Sequence, residues 1–203
     1  MEHLRGKFIV LDGPEGCGKS TQLRLLSQVA EAAGIAHRAV RDPGTTRIGE
    51  QIRQILLSPE HGEMGMRCEM LLYMAARAQM MKEVILPALE AGECVLCDRF
   101  VSSTLAYQLG GDGLSFDQIR ETADIAISGR WPDRIIILDI PPSRSFERIQ
   151  RTRDRLEQRS MAYHTQVYEN YLAQAKSDPA RYRVVNADRP PQAVHEAILA
   201  ALG

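Results

Sequence analysis

The chain has 203 residues, of which 44% are hydrophobic and 25% charged, and a formal net charge of −1. That length supports one domain, residues 1–203, with a core that needs no metal or disulfide staples. Near-neutrality excludes a global field for nucleic acid or an anionic membrane, so any anion recognition is local. The stretch Met1 to Lys7 is polar and no apolar run reaches the length of a membrane span, so neither a signal peptide nor a transmembrane segment is expected.

The apolar run Phe8 to Leu11, closing at Asp12, predicts a first strand. It enters Gly13–Pro14–Glu15–Gly16–Cys17–Gly18–Lys19–Ser20, with Thr21 following, which fits the phosphate-cradling pattern G-x-x-x-x-G-K-[ST] at every fixed position. Glycines lack the Cβ atoms that would keep backbone N–H groups from turning inward around phosphate oxygens. The helix beginning near Lys19 aims its positive end at the same anion. Lys19 is expected on the β- and γ-phosphates of a nucleoside triphosphate, and the Ser20 hydroxyl on Mg²⁺. A Gly-rich turn without a ligand would not need this spacing between a strand and an amphipathic helix.

Leu23, Leu26, Ala30 and Ala33 continue that helix, and Gly34 stops it. A short strand, His37 to Arg41, runs into the turn signal Asp42–Pro43–Gly44. Ile48, Ile52, Ile55 and Leu56 read as one apolar helix face. The longest helical pattern runs from Met66 to Ala91, with Met70, Leu71, Met74, Ala78, Met81 and Ile85 on one side. Pro87 is expected to kink it and Gly92 to close it. Cys94–Val95–Leu96–Cys97 reads as a buried strand ending in Asp98–Arg99. Residues three apart on a strand face opposite sides, so this C-x-x-C is not a metal clamp. All four cysteines are expected reduced, with Cys17 alone placed where it would be accessible and electropositive.

A helix over Ser102 to Leu109 breaks at Gly110–Gly111, and Ser115 with Gln118 forms a capping-box signature for the next, ending about Ser128. Arg134 to Ile140 is a central strand. Ser143 is read as the cap of a helix grading into the arginine-rich segment Arg148 to Arg159. A helix from Met161 to Ser177, a strand from Arg181 to Asn186 and a helix from Pro190 to Leu202 complete the chain. Five strands alternating with helices predict an α/β fold of the P-loop NTPase type. Its parallel sheet would carry helices on both faces and ligands at the carboxyl ends of the strands.

The P-loop does not identify the phosphoryl acceptor. Asp98–Arg99–Phe100, Ser103–Thr104–Leu105–Ala106–Tyr107–Gln108, Arg41–Asp42–Pro43–Gly44, Tyr73–Met74–Ala75–Ala76–Arg77 and Glu15 together resemble the thymidylate kinases, in their order and spacing and over essentially the whole chain. The resemblance implies transfer of a phosphoryl group from ATP to dTMP in dTTP synthesis, with Mg²⁺, in a cytoplasmic homodimer that takes small-molecule substrates and neither nucleic acid nor membrane. It implies that Arg99 grips the acceptor phosphate with Arg53 nearby, and that Asp98 orients Mg²⁺ or its waters. Tyr73, Arg77 and Gln108 then read the base, with Thr104 on the same face as Gln108 and Ser103 beside it. Tyr107 lies under the sugar and Glu15 addresses its 3′-OH. A planar guanidinium fork suits the phosphate, and Tyr73 and Arg77, four apart, share a helix face. The family pattern Arg-Glu-Pro-Gly-Gly-Thr is altered here to Asp42 and Thr45. A threonine would be strained wherever that loop needs positive φ.

Transition-state charge needs a cation near the β–γ bridge. In the family this chain resembles it is an arginine of either the P-loop or a lid, and since this P-loop has no arginine the resemblance implies a lid over residues 148–160 that supplies it. Arg155, in Arg155–Leu156–Glu157, most resembles the family's lid core and is the first choice, with Arg151 and Arg153 second. Some arginines of this segment would be simple solvated charge. Two rivals stay in view. Within enzymes it is a deoxynucleoside kinase, which would need a general base rather than Arg41, Arg53, Arg77 and Arg99, or another pyrimidine monophosphate kinase. From another class it is a P-loop switch or nucleotide-dependent binding module: a GTPase would need Asn-Lys-x-Asp, which Asn186–Ala187–Asp188 does not match, while a catalytically dead relative is set apart only by turnover.

Overall fold

Strands whose every residue is apolar or functional belong in the middle of a sheet, where helices cover both faces. A computed structural model describing residues 2–203 has this arrangement; Met1 lies outside the described residues. β1 (Phe8–Asp12) and β3 (Cys94–Asp98) are buried along their whole length, β4 (Arg134–Asp139) nearly so, while β2 (His37–Arg41) and β5 (Tyr182–Asn186) are half exposed. The sheet order is β2-β3-β1-β4-β5 and every pairing is parallel. Alternation along β1 then separates two cores. Phe8 and Val10 face α3 (Met66–Met80), α5 (Val101–Tyr107), α6 (Phe116–Ile127) and α8 (Met161–Ser177). Ile9 and Leu11 face α1 (Lys19–Ala32) and α9 (Pro191–Leu202). Cys97 lies in the first core and Cys94 in the second, so the two thiols do diverge.

The long helix takes a different course from the expected proline kink. α3 passes into a π-helical stretch, Met81–Ile85, in which the Leu86 N–H donates to the Met81 carbonyl. α4 (Leu86–Glu90) follows, with Pro87 in its first turn. The wider turn places the proline where a missing N–H breaks no helical bond. Leu71 also departs from the expected apolar face: it is 55% exposed, as are Ile48 (41%) and Ile55 (43%) on α2 (Arg47–Leu57) and Ile125 (83%) on α6.

The capping box before α6 is formed in both directions: Ser115 Oγ accepts from the Gln118 N–H at 3.2 Å and Gln118 Oε1 from the Ser115 N–H at 3.0 Å. Ser115→Ala is therefore expected to cost about 1 kcal/mol, read as a lower urea midpoint with unchanged slope.

The arginine-rich segment is not a continuation of a helix. α7 is short (Pro142–Phe146), Pro141 rather than Ser143 holds its N-cap position, and residues 147–160 run as irregular turns. Asp154 supplies the reason. Its carboxylate accepts from the Leu156 and Glu157 N–H groups at 3.0 Å each, a local side-chain bond that competes with the helical ladder. The backbone N–H of Arg155 meanwhile donates to Leu57 O on α2 at 3.3 Å, pinning the segment across the site.

Candidate active site

β1 ends at Asp12 and α1 begins at Lys19, and the six residues between them form the loop the motif predicts. Gly13 has φ +137°, and a Cβ there would lie 2.7 Å from Leu138 O; at Gly16, with φ +70°, it would strike Ser145 O. Only glycine fits either position. Lys19 is buried and its Nζ donates to Pro14 O at 2.8 Å and Gly13 O at 3.2 Å. Cys17 is 2% exposed, contrary to the accessible thiol expected, and burial raises its pKa despite the nearby Lys19.

Ser20 Oγ donates to Asp98 Oδ2 at 2.9 Å. These are two hard oxygen ligands at the carboxyl end of β3 beside the loop. No cluster of three or more His, Cys, Asp or Glu at metal spacing occurs among the described residues. The Ser20 and Asp98 oxygens suit Mg²⁺, which takes one or two protein oxygens and completes its shell with water and phosphate.

Arg99 follows β3 in a left-handed conformation, φ +69°, which is strained for a side chain of this size. Five neighbours hold it there. NH1 donates to Ser103 Oγ at 3.0 Å, Gly13 O at 3.1 Å, Tyr171 OH at 3.1 Å and, more weakly, Asp12 Oδ1 at 3.4 Å; NH2 pairs with Glu15 Oε1 at 2.5 Å. Asp12, fully buried, also takes Ser102 Oγ at 2.6 Å, Ser103 Oγ at 2.7 Å and Tyr171 OH at 2.7 Å. Burial opposes the charge on Glu15, but Arg99 and Lys19 outweigh it and hold the carboxyl down at about 2. Tyr107 OH donates to the same Glu15 oxygen at 3.1 Å, and the guanidinium lies over its ring.

A cavity opens beyond Arg99. Eleven of the twelve expected acceptor-binding residues line it, from Glu15 and Asp42 through Tyr73 and Arg77 to Tyr107 and Gln108; Arg41 does not, and borders the neighbouring cleft over the P-loop instead. Glu15, Asp42, Arg53, Arg99 and Arg151 border both spaces, so the two are continuous. Arg77 is 1% exposed. It pairs with Asp42 at 2.6 Å, its NH2 reaches Thr104 Oγ1 at 3.3 Å, and its guanidinium stacks over Phe100. Burial raises the pKa of Asp42 against the opposing pull of Arg77. Arg53 NH1 donates to Pro43 O at 2.9 Å. The altered loop carries its strain locally: Thr45 sits at φ +69°, and its hydroxyl accepts from the Arg41 N–H at 2.8 Å and donates to Arg41 O at 3.1 Å.

The lid arginines separate. Arg155, the first choice from sequence, is 8% exposed and turned toward α3, where it pairs with Glu69 and donates to Leu56 O; it lines neither space. Arg159 also pairs with Glu69, Arg148 with Asp188, and Arg153 lies over Phe146. Arg151 lines both spaces, held by a bidentate pair with buried Glu157 at 2.7 and 2.8 Å. The sequence carried no signal for Glu69 or Tyr171, whose importance depends on partners far away in the chain, and it showed Glu157 only as part of the lid segment, not as the partner of Arg151. Asp12 was visible only as a carboxylate at a strand end.

The profile of the thymidylate kinase family matches residues 11–198. A thymidylate kinase of Pelotomaculum thermopropionicum is 43% identical over 201 residues, covering 98% of this chain and 93% of that one. One from Pseudomonas savastanoi pv. phaseolicola is 44% identical, covering 92% and 90%. The crystal structure of thymidylate kinase from Ehrlichia chaffeensis superposes with a TM-score of 0.78 at 27% identity, covering 97% of this chain and 98% of that one. A P-loop, an arginine-lined second cavity continuous with it and a match along nearly the whole chain point the same way: the protein belongs to the thymidylate kinase family.

Proposed function

We propose that the chain transfers the γ-phosphoryl group of ATP to dTMP, giving ADP and dTDP for dTTP synthesis. The carrying observation is the continuity of the P-loop cleft with the second cavity, which share Arg99 and Arg151 in their linings. A phosphate in that throat meets the guanidinium fork of Arg99, and a pyrimidine beyond it meets Tyr73, Arg77 and Gln108. Glu15, ionised throughout the neutral range, accepts from the sugar 3′-OH. Lys19 and the loop amides bind the donor phosphates, and Ser20 and Asp98 would hold Mg²⁺, which would supply positive charge against the donor phosphates. The acceptor phosphate is already an anionic nucleophile, so no general base is needed and the protein's contribution is positioning and electrostatics. In this reading residues 148–160 are a lid on one catalytic unit.

Exposed apolar side chains occur on α3 (Leu71) and on the two helices packed against it, Ile48 and Ile55 on α2 and Ile125 on α6, and a homodimer that covers some of them is part of this reading. No helix among the described residues is long and apolar enough to cross a membrane, and unpaired cysteines support a reducing, cytoplasmic setting.

Coupled ADP release with ATP and Mg²⁺ against dTMP, dUMP, dCMP, UMP and thymidine tests the reading. The expected result is a preference for dTMP and no turnover of thymidine, which brings no phosphate to Arg99. Turnover of thymidine, or of dCMP and UMP above dTMP, overturns the base and phosphate assignments. ATP binding without turnover of any acceptor overturns the enzyme.

A further inference from the structure

Glu69 lies on α3, fully buried and outside both the acceptor cavity and the P-loop cleft. Its Oε2 accepts from Arg155 and, at 2.9 Å, from Arg159; its Oε1 accepts from Gln108 Nε2 at 2.7 Å. A carboxylate between two guanidiniums only accepts. Gln108 must therefore turn its NH₂ toward Glu69 and its carbonyl the other way. That carbonyl, Gln108 Oε1, is buried and has no partner among the described residues, on a side chain that lines the acceptor cavity.

A buried acceptor without a donor favours any ligand that brings an N–H to it and penalises one that brings a lone pair. At ring position 3, thymine and uracil carry N–H, whereas cytosine carries a bare nitrogen. We infer that Glu69 is a positioning residue that sets acceptor specificity. By fixing the polarity of the Gln108 amide, it commits the cavity to pyrimidines with a donor at N3 and against cytosine. Without Glu69 the amide is free to turn over and offer its NH₂ to cytosine instead. The same carboxylate holds two arginines of residues 148–160, so the lid segment and the base-reading amide share one anchor. This inference rests on the proposed acceptor site.

The test compares kcat/KM for dTMP and for 5-methyl-dCMP, which differ only at ring positions 3 and 4, in wild type and Glu69→Gln. Both acceptors share the sugar, the phosphate and the methyl group, so general damage to the enzyme cancels in their ratio. The expected result is a strong wild-type preference for dTMP that shrinks by at least about tenfold in Glu69→Gln, chiefly through improved use of 5-methyl-dCMP. An unchanged ratio overturns the role of Glu69 while leaving the acceptor site standing. A wild type that does not discriminate overturns the acceptor site itself. Should Glu69→Gln not fold, Glu69→Gln with Arg159→Gln removes one positive charge along with the negative one and gives the same readout. A wild-type measurement needs no variant: the Gln108 side-chain NH₂ protons should stay protected from exchange, in unchanged positions, when dTMP binds. Loss of that protection or a reversal of the amide on binding overturns the inference.

Discussion

Arg151→Ala is expected to lower kcat about 10³-fold or more while leaving the KM for dTMP within about threefold, the signature of a charge felt in the transition state and little in the ground state. The expectation follows from position. Of the arginines between 148 and 159, Arg151 borders both the P-loop cleft and the acceptor cavity, while the others are committed to Glu69, Asp188 or the Phe146 ring. Its bidentate pair with Glu157 aims the guanidinium without burying it. Arg155→Ala provides the contrast. That side chain is locked beneath α3, so its loss should appear first in stability, as a lower urea midpoint, with a smaller effect on kcat than that of Arg151→Ala. The opposite order, with Arg155→Ala giving the larger loss of kcat in a folded enzyme, would return the catalytic role to Arg155. Steady-state rates with ATP and dTMP, alongside urea unfolding of each variant, decide between them.

Arg99→Ala carries the other large effect: kcat/KM for dTMP should fall about 10²–10³-fold, and Arg99→Lys should recover only part of it, because an ammonium keeps the charge but loses the fork. The variant also probes the fold. Arg99 is the strongest partner of Glu15, whose carboxyl it holds near 2 instead of the ordinary 4.5. A carboxyl depressed in the folded state contributes stability that is complete above about pH 4.5 and lost as the pH falls toward 2. Without Arg99 that contribution shrinks, so acid unfolding of Arg99→Ala should begin at higher pH than in wild type. Near-neutral stability should fall as well, with Glu15 and buried Asp12 left short of a cation. Circular dichroism across pH 2–7 reads both. An unchanged acid transition would mean that the Glu15–Arg99 pair carries no net stability.

Some of this architecture was legible because it is written in contiguous residues. The loop from Gly13 to Ser20 works through its own backbone, so the glycine spacing and the Lys-Ser pair specify it without reference to the rest of the chain. Strands β1, β3 and β4 show themselves as unbroken apolar runs because both of their faces are covered. The capping box at Ser115 and Gln118 is complete within four residues. Even the substitution at Thr45 was readable: positive φ was the expected difficulty, and the structure meets it with the threonine's own hydroxyl on Arg41.

Other features depended on partners distant in sequence. Cys17 sits in an electropositive loop, yet neighbouring chain covers it and burial decides its chemistry. The π-helical stretch ahead of Pro87 depends on how a helix end is packed, which periodicity does not encode. The lid is the clearest case. Five arginines of one chemical type are distinguishable only by what they meet, and Arg155 meets Glu69, 86 residues away, while Arg151 meets Glu157 and the open throat. By itself the sequence determined the glycine-rich loop, its place between a strand and a helix, and the kind of sheet that carries it, since those properties reside in local backbone geometry and hydrophobic pattern. The tertiary structure alone decided which arginine faces the cleft and which way the Gln108 amide points, because a side chain's charge and polarity are directed by the buried partners that folding brings to it.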